Sequence, residues 1–381
     1  MNICILFPPF DEKTHRKKDP WQIPFHLSKL GHKVEILAYL KNNLERTASN
    51  TNGIKVVRVK PNLLHLLLYL LKNSTHIDCI IGYFSKYSTL LSAILFKLAK
   101  KNGIFIIKMD TDGSYALPGE SIIYLLYRYL LHLLYPYFID FLIVESPQAK
   151  KRIIKRFWWL KSKIIILPNG INVNEFRKLS KKIRSNPRPK KKRKIILFVG
   201  DVIPRKGVDL LIKAFSRVHK DFPNYRVRIV GATKINPSYT HYLKRLILLE
   251  GLNKKVAFLG RVSEKQLLKE YINADIFVFP SRAESFGIAL VEAAYFGKPI
   301  VSSNVGAAEF ILENGKAGLI FRKNNLDEFV TKLKLVMKKN KLRKTLAKRI
   351  AVRCKKLFDW NKIVKRLNLY IEKCRHKKCR L

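Results

Sequence analysis

The 381-residue chain is 48% hydrophobic and 11% aromatic, enough to bury a sizeable core, which excludes a chain disordered throughout. Its 76 Lys and Arg stand against 27 Asp and Glu, a formal charge of +49, with too few acids for the paired networks of a thermophile surface. That excess fits either a lysine-rich proteome or an anionic partner: acidic lipid, nucleic acid or a nucleotide.

The opening "MNICILF" reads as a first buried strand rather than a leader peptide. Cys4, Cys79, Cys354, Cys374 and Cys379 are odd in number and scattered, as expected of reduced cytoplasmic thiols. Further strand-like runs are "KVEILAY", "IKVVRV", "CIIGYF", "IFIIKM", "FLIVES" and "KIIIL", with helical patterns at 21–31, 87–101, 121–135 and 147–156. Strands alternating with helices predict a parallel sheet wrapped by helices. "LLHLLLYLL" at 63–71 is far shorter than the ~20 residues of a membrane span. The apolar stretch 122–144 is interrupted by Arg128, His132, Pro136 and Asp140, and its end reads as a separate strand. The remaining Tyr-rich, basic helix suits a membrane interface or, equally, ordinary core packing.

"RKLSKKIRSNPRPKKKRK" at 177–194 holds two prolines, dense charge and almost nothing apolar, and is the predicted linker. A nucleic-acid-binding arm is the alternative, but no stacking aromatics interleave with the charges. After it the alternation restarts with "KIILFVG", "RVRIVG", "KVAFLG", "DIFVFPS", "PIVSSN" and "AGLIF". Two doubly wound α/β domains in series account for the pattern, 1–176 and 195–357. Such sheets bind ligands at the carboxyl ends of their strands, where two domains can face a shared cleft.

Chemistry concentrates in two places. In "ILFVGDVIPRKGVDLLIKAF" a strand ends at Val199-Gly200 and a loop then offers Arg205 and Lys206, cations suited to diphosphate oxygens. In "FPSRAESFGIALVEAAYFGKP" a strand is followed by Glu284, a helix start near Gly287, and Glu292 eight positions after the first carboxylate. The amides of Phe286, Gly287 and Ile288 then lie at a helix N-terminus, which favours an anion. Carboxylates accept hydrogen bonds from paired hydroxyls, so Glu284 and Glu292 can frame a sugar, a diphosphate and a ribose. The plainer alternative is a capping Glu and a solvated helix Glu.

Together, "ILPNGINVNEF", "VGDVIPRKGVDLLIKAF", the run from "VAFLGRVSEK" to "SSNVGAAEFI", and "GLIF" resemble the family 4 retaining glycosyltransferases, of GT-B fold. The resemblance is strong over 163–330. It implies two Rossmann-like domains facing a cleft, with 358–381 a closing helix that crosses back to the N-terminal domain. It implies that Glu284 contacts the donor sugar and Glu292 the ribose. Gly287 and its neighbouring amides would take the diphosphate and Lys206 the leaving phosphate. The backbone at Arg261-Val262 would receive the base, and Gly200 and Arg205 would complete the donor site.

Three features depart from the family pattern. Asp201 stands where an Arg commonly follows the strand-end glycine, and "FPPFDEK" replaces a glycine-rich loop after the first strand. The family's active-site His has no counterpart; Asp112, in "KMDTDGSY", is assigned to contact the reacting sugar or acceptor hydroxyl, an Asx-type turn being the alternative. Asp110 and Asp112 spell a metal-binding pattern, but of an unrelated fold. Cys374, His376 and Cys379 offer three ligands at no standard zinc spacing, and a frayed basic tail is expected there. No metal or cofactor is expected.

The expected function is transfer of a hexose, with retention, from a UDP- or GDP-sugar to a glycan, lipid or lipid-linked acceptor. The acceptor would dock on the N-terminal domain, near Asp112 and the loop after "FPPF". The enzyme would be cytoplasmic, peripheral on an anionic membrane surface. The rival is a nucleic-acid-binding protein on a decayed transferase fold, which would not need Lys206, Glu284 and Glu292.

Overall fold

In a computed structural model, described for residues 1–40, 48–83, 87–109, 122–184 and 193–379, the chain forms two compact units. The first comprises Met1–Gly170 and Trp360–Leu381, the second Ile171–Asp359.

The first unit begins with β1 (Asn2–Leu6), α1 (Glu12–His15), α2 (Asp19–Lys29), β2 (Lys33–Tyr39), β3 (Ala48–Thr51) and β4 (Ile54–Val59). It continues with α3 (Leu63–Asn73), β5 (Cys79–Tyr83), α4 (Tyr87–Ala99), β6 (Ile104–Lys108), α5 (Ile122–Phe138) and β7 (Phe141–Val144). After α6 (Pro147–Arg156), a 3-10 segment at Trp158–Lys163 leads into β8 (Ile164–Ile166). The strands form one sheet in the order β3-β4-β2-β1-β5-β6-β7-β8, parallel except for β3 against β4.

A parallel sheet is covered on both faces, so its central strands read as unbroken apolar runs. Every residue of β5, β6 and β7 is buried. Along β1 the side chains alternate: Ile3 and Ile5 pack with Trp21 and Leu27 of α2, whereas Cys4 and Leu6 pack with Leu66 of α3 and Phe96 of α4. The second of these helical layers also includes α5 and α6, through Tyr135 and Ile153.

The second unit runs α7 (Val173–Arg184), β9 (Lys194–Val199), a 3-10 turn (Pro204–Lys206), α8 (Val208–Ser216), β10 (Tyr225–Val230), α9 (Pro237–Leu249) and β11 (Val256–Gly260). Then come α10 (Glu264–Asn273), β12 (Ile276–Phe279), α11 (Ile288–Tyr295), β13 (Ile300–Ser303), α12 (Ala308–Ile311) and β14 (Leu319–Phe321). Two helices, α13 (Leu326–Lys338) and α14 (Asn340–Leu357), end it. Its sheet is wholly parallel, in the order β11-β10-β9-β12-β13-β14. The chain returns to the first unit as α15 (Trp360–Cys379), which lays Trp360, Ile363, Val364 and Leu367 into the core beside α2.

Three expectations change. The stretch 177–194 was expected to lack packed structure, but α7 extends through Arg184 and seats Phe176, Leu179 and Ile183 against the second unit's core. Three apolar residues three and four positions apart make one helical face, while Arg177, Lys178 and Lys181 between them are exposed. Residues 185–192 lie outside the described residues. The basic tail expected to fray is helical through Cys379, with Cys374 against the core. The edge strand β3, "ASNT", carries no apolar alternation and was not foreseen.

No helix among the described residues is long and apolar enough to cross a membrane. Cys4, Cys79 and Cys354 are buried in the cores.

Candidate functional site

In the second sheet the strand order reverses between β9 and β12: the chain first builds outward through β10 and β11, then returns to build β12, β13 and β14. Helices on the two sides of such a reversal diverge, leaving a crevice at the carboxyl ends of the strands. A cavity of about 360 Å³ opens there. It is lined by Val199 and Gly200 at the end of β9, Val230 and Gly231 at β10, Arg261 and Val262 after β11, and Phe279 at the end of β12.

The charged lining consists of Arg205, Lys206 and Arg261 with Asp201, Glu284 and Glu292. Cations and carboxylates are thus equal in number here, in a chain where cations outnumber acids almost threefold. The balance is local chemistry, not drift in composition.

Lys206 Nζ donates to Glu284 Oε1, which also accepts from Ser281 Oγ at 3.1 Å. The Lys206 and Glu284 side chains are only 16% and 9% exposed, so solvent screens their attraction weakly. Arg205 reaches Glu284 Oε2 at 3.4 Å and donates to the Ala283 carbonyl at 2.7 Å, while remaining half-exposed.

Backbone conformation makes this approach possible. Gly207, directly after Lys206, has φ +68°, and a Cβ there would stand 2.1 Å from the Pro280 carbonyl oxygen. Only glycine lets the 3-10 turn pack against the end of β12. The next turn of chain is tied as well: the Arg282 amide donates to the Arg205 carbonyl at 2.7 Å.

Gly287, with φ +97°, turns the chain into α11, and Ile288 and Ala289 line the cavity with it. The first amides of a helix have no intrahelical partner and carry its positive dipole end. Glu292 lies one turn further along α11. Its Oε2 accepts a hydrogen bond from the hydroxyl of the fully buried Tyr271 at 2.7 Å. Burial first, and then the Glu292 charge, push the Tyr271 hydroxyl far above its ordinary pKa, so it stays a donor.

Every residue assigned to donor binding lines this cavity except Phe286. The Phe286 side chain is buried and packs edge-on against Phe358, which anchors the start of α11 in the core. Asp201 lines the cavity among the cations. Asp112 and Asp110 lie outside the described residues. Among those described, no group of three or more His, Cys, Asp or Glu is placed to hold a metal ion.

Sequence reasoning missed the supports. Arg282 grips Asp209 with two bonds of 2.8 and 2.7 Å and donates to the Pro204 carbonyl at 2.6 Å. The Tyr239 hydroxyl donates to Asp209 at 2.5 Å. This cluster ties α8, α9 and the loop after β12 to the turn that presents Lys206. The Arg two positions before Glu284 was the available signal, but its partner is 73 positions away.

Burial raises the proton affinity of Asp209, yet the bonds from Arg282 and Tyr239 outweigh it and hold the carboxyl below its ordinary range. A depressed folded pKa contributes stability that is complete above the unfolded value, near 4, and is lost as pH falls through the folded value. Arg282→Ala should therefore destabilise the protein by about 1–3 kcal/mol at neutral pH, less than for a fully buried pair because the guanidinium is part-exposed. Melting curves of wild type and variant should converge only in strong acid; a constant gap from neutral pH to pH 2 would disprove the assignment.

The first unit also reverses its strand order, between β1 and β5. A smaller cavity of about 120 Å³ lies there, among Leu6, Pro8, Pro9, Tyr39, Leu66 and Tyr83. Nearby, Lys108 at the end of β6 is buried and bonds Asp19 at 2.6 Å and Glu145 at 3.0 Å. Asn169 donates to the same Glu145 oxygen at 2.6 Å. This ion network was not anticipated either: its members come from four separate segments.

Comparison with known proteins follows the same division. The family model described as Glycosyl transferases group 1 matches residues 180–353. Mannosylfructose-phosphate synthase of Agrobacterium fabrum is 28% identical over 239 residues, which cover 61% of this chain and 53% of that protein. An uncharacterized glycosyltransferase of Methanocaldococcus jannaschii is 30% identical over 225 residues, covering 59% and 57%. The chain thus spans little more than half the length of these relatives.

Among solved structures, sucrose-phosphate synthase from Thermosynechococcus elongatus superposes with a TM-score of 0.74 at 17% identity, covering 98% of both chains. Anabaena HepE, solved in complex with UDP-glucose, gives a TM-score of 0.73 at 18% identity, covering 98% of this chain and 100% of that one. Identities this low speak to the fold alone, and the fold is GT-B.

Proposed function

We propose that this chain, whose residues 180–353 match the group 1 glycosyltransferase model, moves a hexose, with retention of configuration, from a nucleoside diphosphate sugar to a lipid or lipid-linked acceptor. The observation that carries the reading is the convergence of Lys206, Glu284, Glu292 and the start of α11 on one cavity at the strand-order reversal.

The diphosphate lies against the first amides of α11, with Lys206 and Arg205 as its cations. As the bond from the sugar to the diphosphate breaks, negative charge grows on the leaving phosphate, and a preplaced ammonium stabilises that charge without reorganisation. Glu284 accepts hydrogen bonds from the sugar hydroxyls and Glu292 from those of the ribose. Arg261 and Val262 border the base. None of these groups forms a covalent bond to the sugar; they act by position and charge.

UDP-sugars are the first donors to test, since HepE is solved with UDP-glucose. GDP-sugars are the second. The acceptor is taken by the first unit, at the apolar cavity beside Pro8 and Pro9 and at Asp112. The lipid character of the acceptor, and a place on the cytoplasmic face of a membrane, rest on the basic charge and the apolar helices of that unit.

The test is thermal stabilisation against UDP-, GDP- and ADP-hexoses, followed by the anomeric configuration of the product by NMR, with and without a chelator. A donor at ~100 times its Kd should add about 2.7 kcal/mol of stability. An inverted product would end the retaining assignment, and loss of turnover on chelation would end the metal-free one. No stabilisation by any nucleotide sugar, with tight salt-sensitive RNA binding instead, would favour the nucleic-acid rival.

A further inference from the structure

The outer surface of one helical layer of the first unit is unusually apolar. Of the 20 large hydrophobic side chains exposed among the described residues, 12 lie between Leu64 and Trp158. Their burying partners explain why this is not disorder of the helices. In α3, Leu66 and Leu70 fill the core while Leu64 and Leu68 face outward. In α5, Tyr135 is fully buried, whereas Leu126, Leu130 and Leu134 recur every four residues on the exposed side. A helix with one apolar face against the core and a second facing solvent has a second partner.

The helices α3, α4 and α5 and the 3-10 segment lie side by side in that order, so their exposed residues form one surface. Its chemistry identifies the partner. The segments "LLHLLLYLLKN", "YSTLLSAILFKLA", "IIYLLYRYLLHLLYPYF", "PQAKKRIIKR" and "WWLKSK" hold no Asp or Glu. On α6, Lys151, Arg152, Lys155 and Arg156 are exposed, and Lys161 of the 3-10 segment joins them. Aromatic side chains stand with the cations: Trp158 is 72% and Tyr137 79% exposed.

We propose that this surface docks on an anionic phospholipid bilayer. Leu side chains enter the acyl boundary, Trp and Tyr sit at headgroup depth, and the cations of α6 meet the phosphates. A second copy of the chain is a poor match, because two such faces would bring like charges together in molecules of formal charge +49. The inference deepens the membrane part of the function proposed above, but it stands without the transfer reaction.

The test is co-sedimentation of the full chain with vesicles of phosphatidylcholine, with and without phosphatidylglycerol, at physiological salt. Wild type should bind the anionic vesicles preferentially and shift its tryptophan emission to the blue, and Trp158→Phe should remove most of that shift. Leu64→Gln, Leu68→Gln and Leu130→Gln combined should lower the partition coefficient at least about tenfold while the melting temperature is kept. Exposed positions make that variant foldable. Four results would each overturn the proposal: no binding by wild type, equal binding by the Leu variant, an unchanged Trp158→Phe shift, or a wild-type dimer that the Leu variant dissociates. Thermal stabilisation by a nucleotide sugar, measured on the same samples, separates this outcome from that of the transferase reading.

Discussion

Lys206→Met should lower kcat by about 10²–10³ while the Kd for the donor changes by only a fewfold. The ammonium is held in place before any substrate arrives: Gly207 fixes the turn, and Glu284 binds Nζ. In the proposed reaction its interaction with the diphosphate would strengthen as the glycosidic bond breaks, because the leaving oxygen gains charge in the transition state. An interaction stronger in the transition state than in the ground state appears in kcat. Removing one such donor from a shielded site costs about 2.7–4 kcal/mol.

Met keeps an aliphatic stem of similar length and removes the ammonium, which stands 6.0 Å from the Phe279 ring centroid. Lys206→Arg should recover part of the rate, since the charge remains but its shape differs. Isothermal titration with the donor and steady-state turnover together decide the matter. A loss confined to donor affinity, with kcat unchanged, would reassign Lys206 to ground-state binding.

Glu292→Ala should act the other way, weakening donor binding by about 10–100-fold with a smaller effect on kcat. Ribose hydroxyls far from the breaking bond bind equally in ground and transition states. Hydrogen bonds to a charged acceptor contribute about 1.5–3 kcal/mol, and each 1.4 kcal/mol is tenfold in Kd. Tyr271→Phe should give a weaker version of the same defect, because it removes the 2.7 Å bond that orients the carboxylate. In that variant the ring is kept, and with it the stacking on Phe296 at 5.6 Å. If Glu292→Ala bound every nucleotide sugar as wild type does, the carboxylate would be a solvated helix residue and the site would lose its ribose contact.

Much of this was legible in one dimension. The runs "KVEILAY" and "IKVVRV" coincide with β2 and β4, five of the six later runs contain β9 and β11 to β14, and "RVRIVG" covers β10 except Tyr225. Strands buried on both faces are predominantly apolar, so they show as apolar runs even where a single charge such as Glu35 interrupts them. The interval from Glu284 to Glu292 was equally visible, because the strand end, turn and helix start that separate them are local. The misses were elements whose reasons are not local. The strand β3 is polar and exists because β4 offers it a ladder edge. The helix α7 is charged on most sides and is held by three apolar residues that find the second core.

From the sequence alone came two α/β domains and the carboxylate interval around a helix start. Lys206 and Glu284 are 78 positions apart, and Arg282 and Asp209 are 73 apart; no periodicity connects them. Only the order β11-β10-β9-β12-β13-β14, which sets β9 beside β12, brings the cationic turn against the loop that carries Glu284. The exposed leucines of α3 and α5 were likewise readable as apolar but not as exposed. Periodicity tells which residues share a helix face, while packing of the layer decides which of two apolar faces meets the sheet.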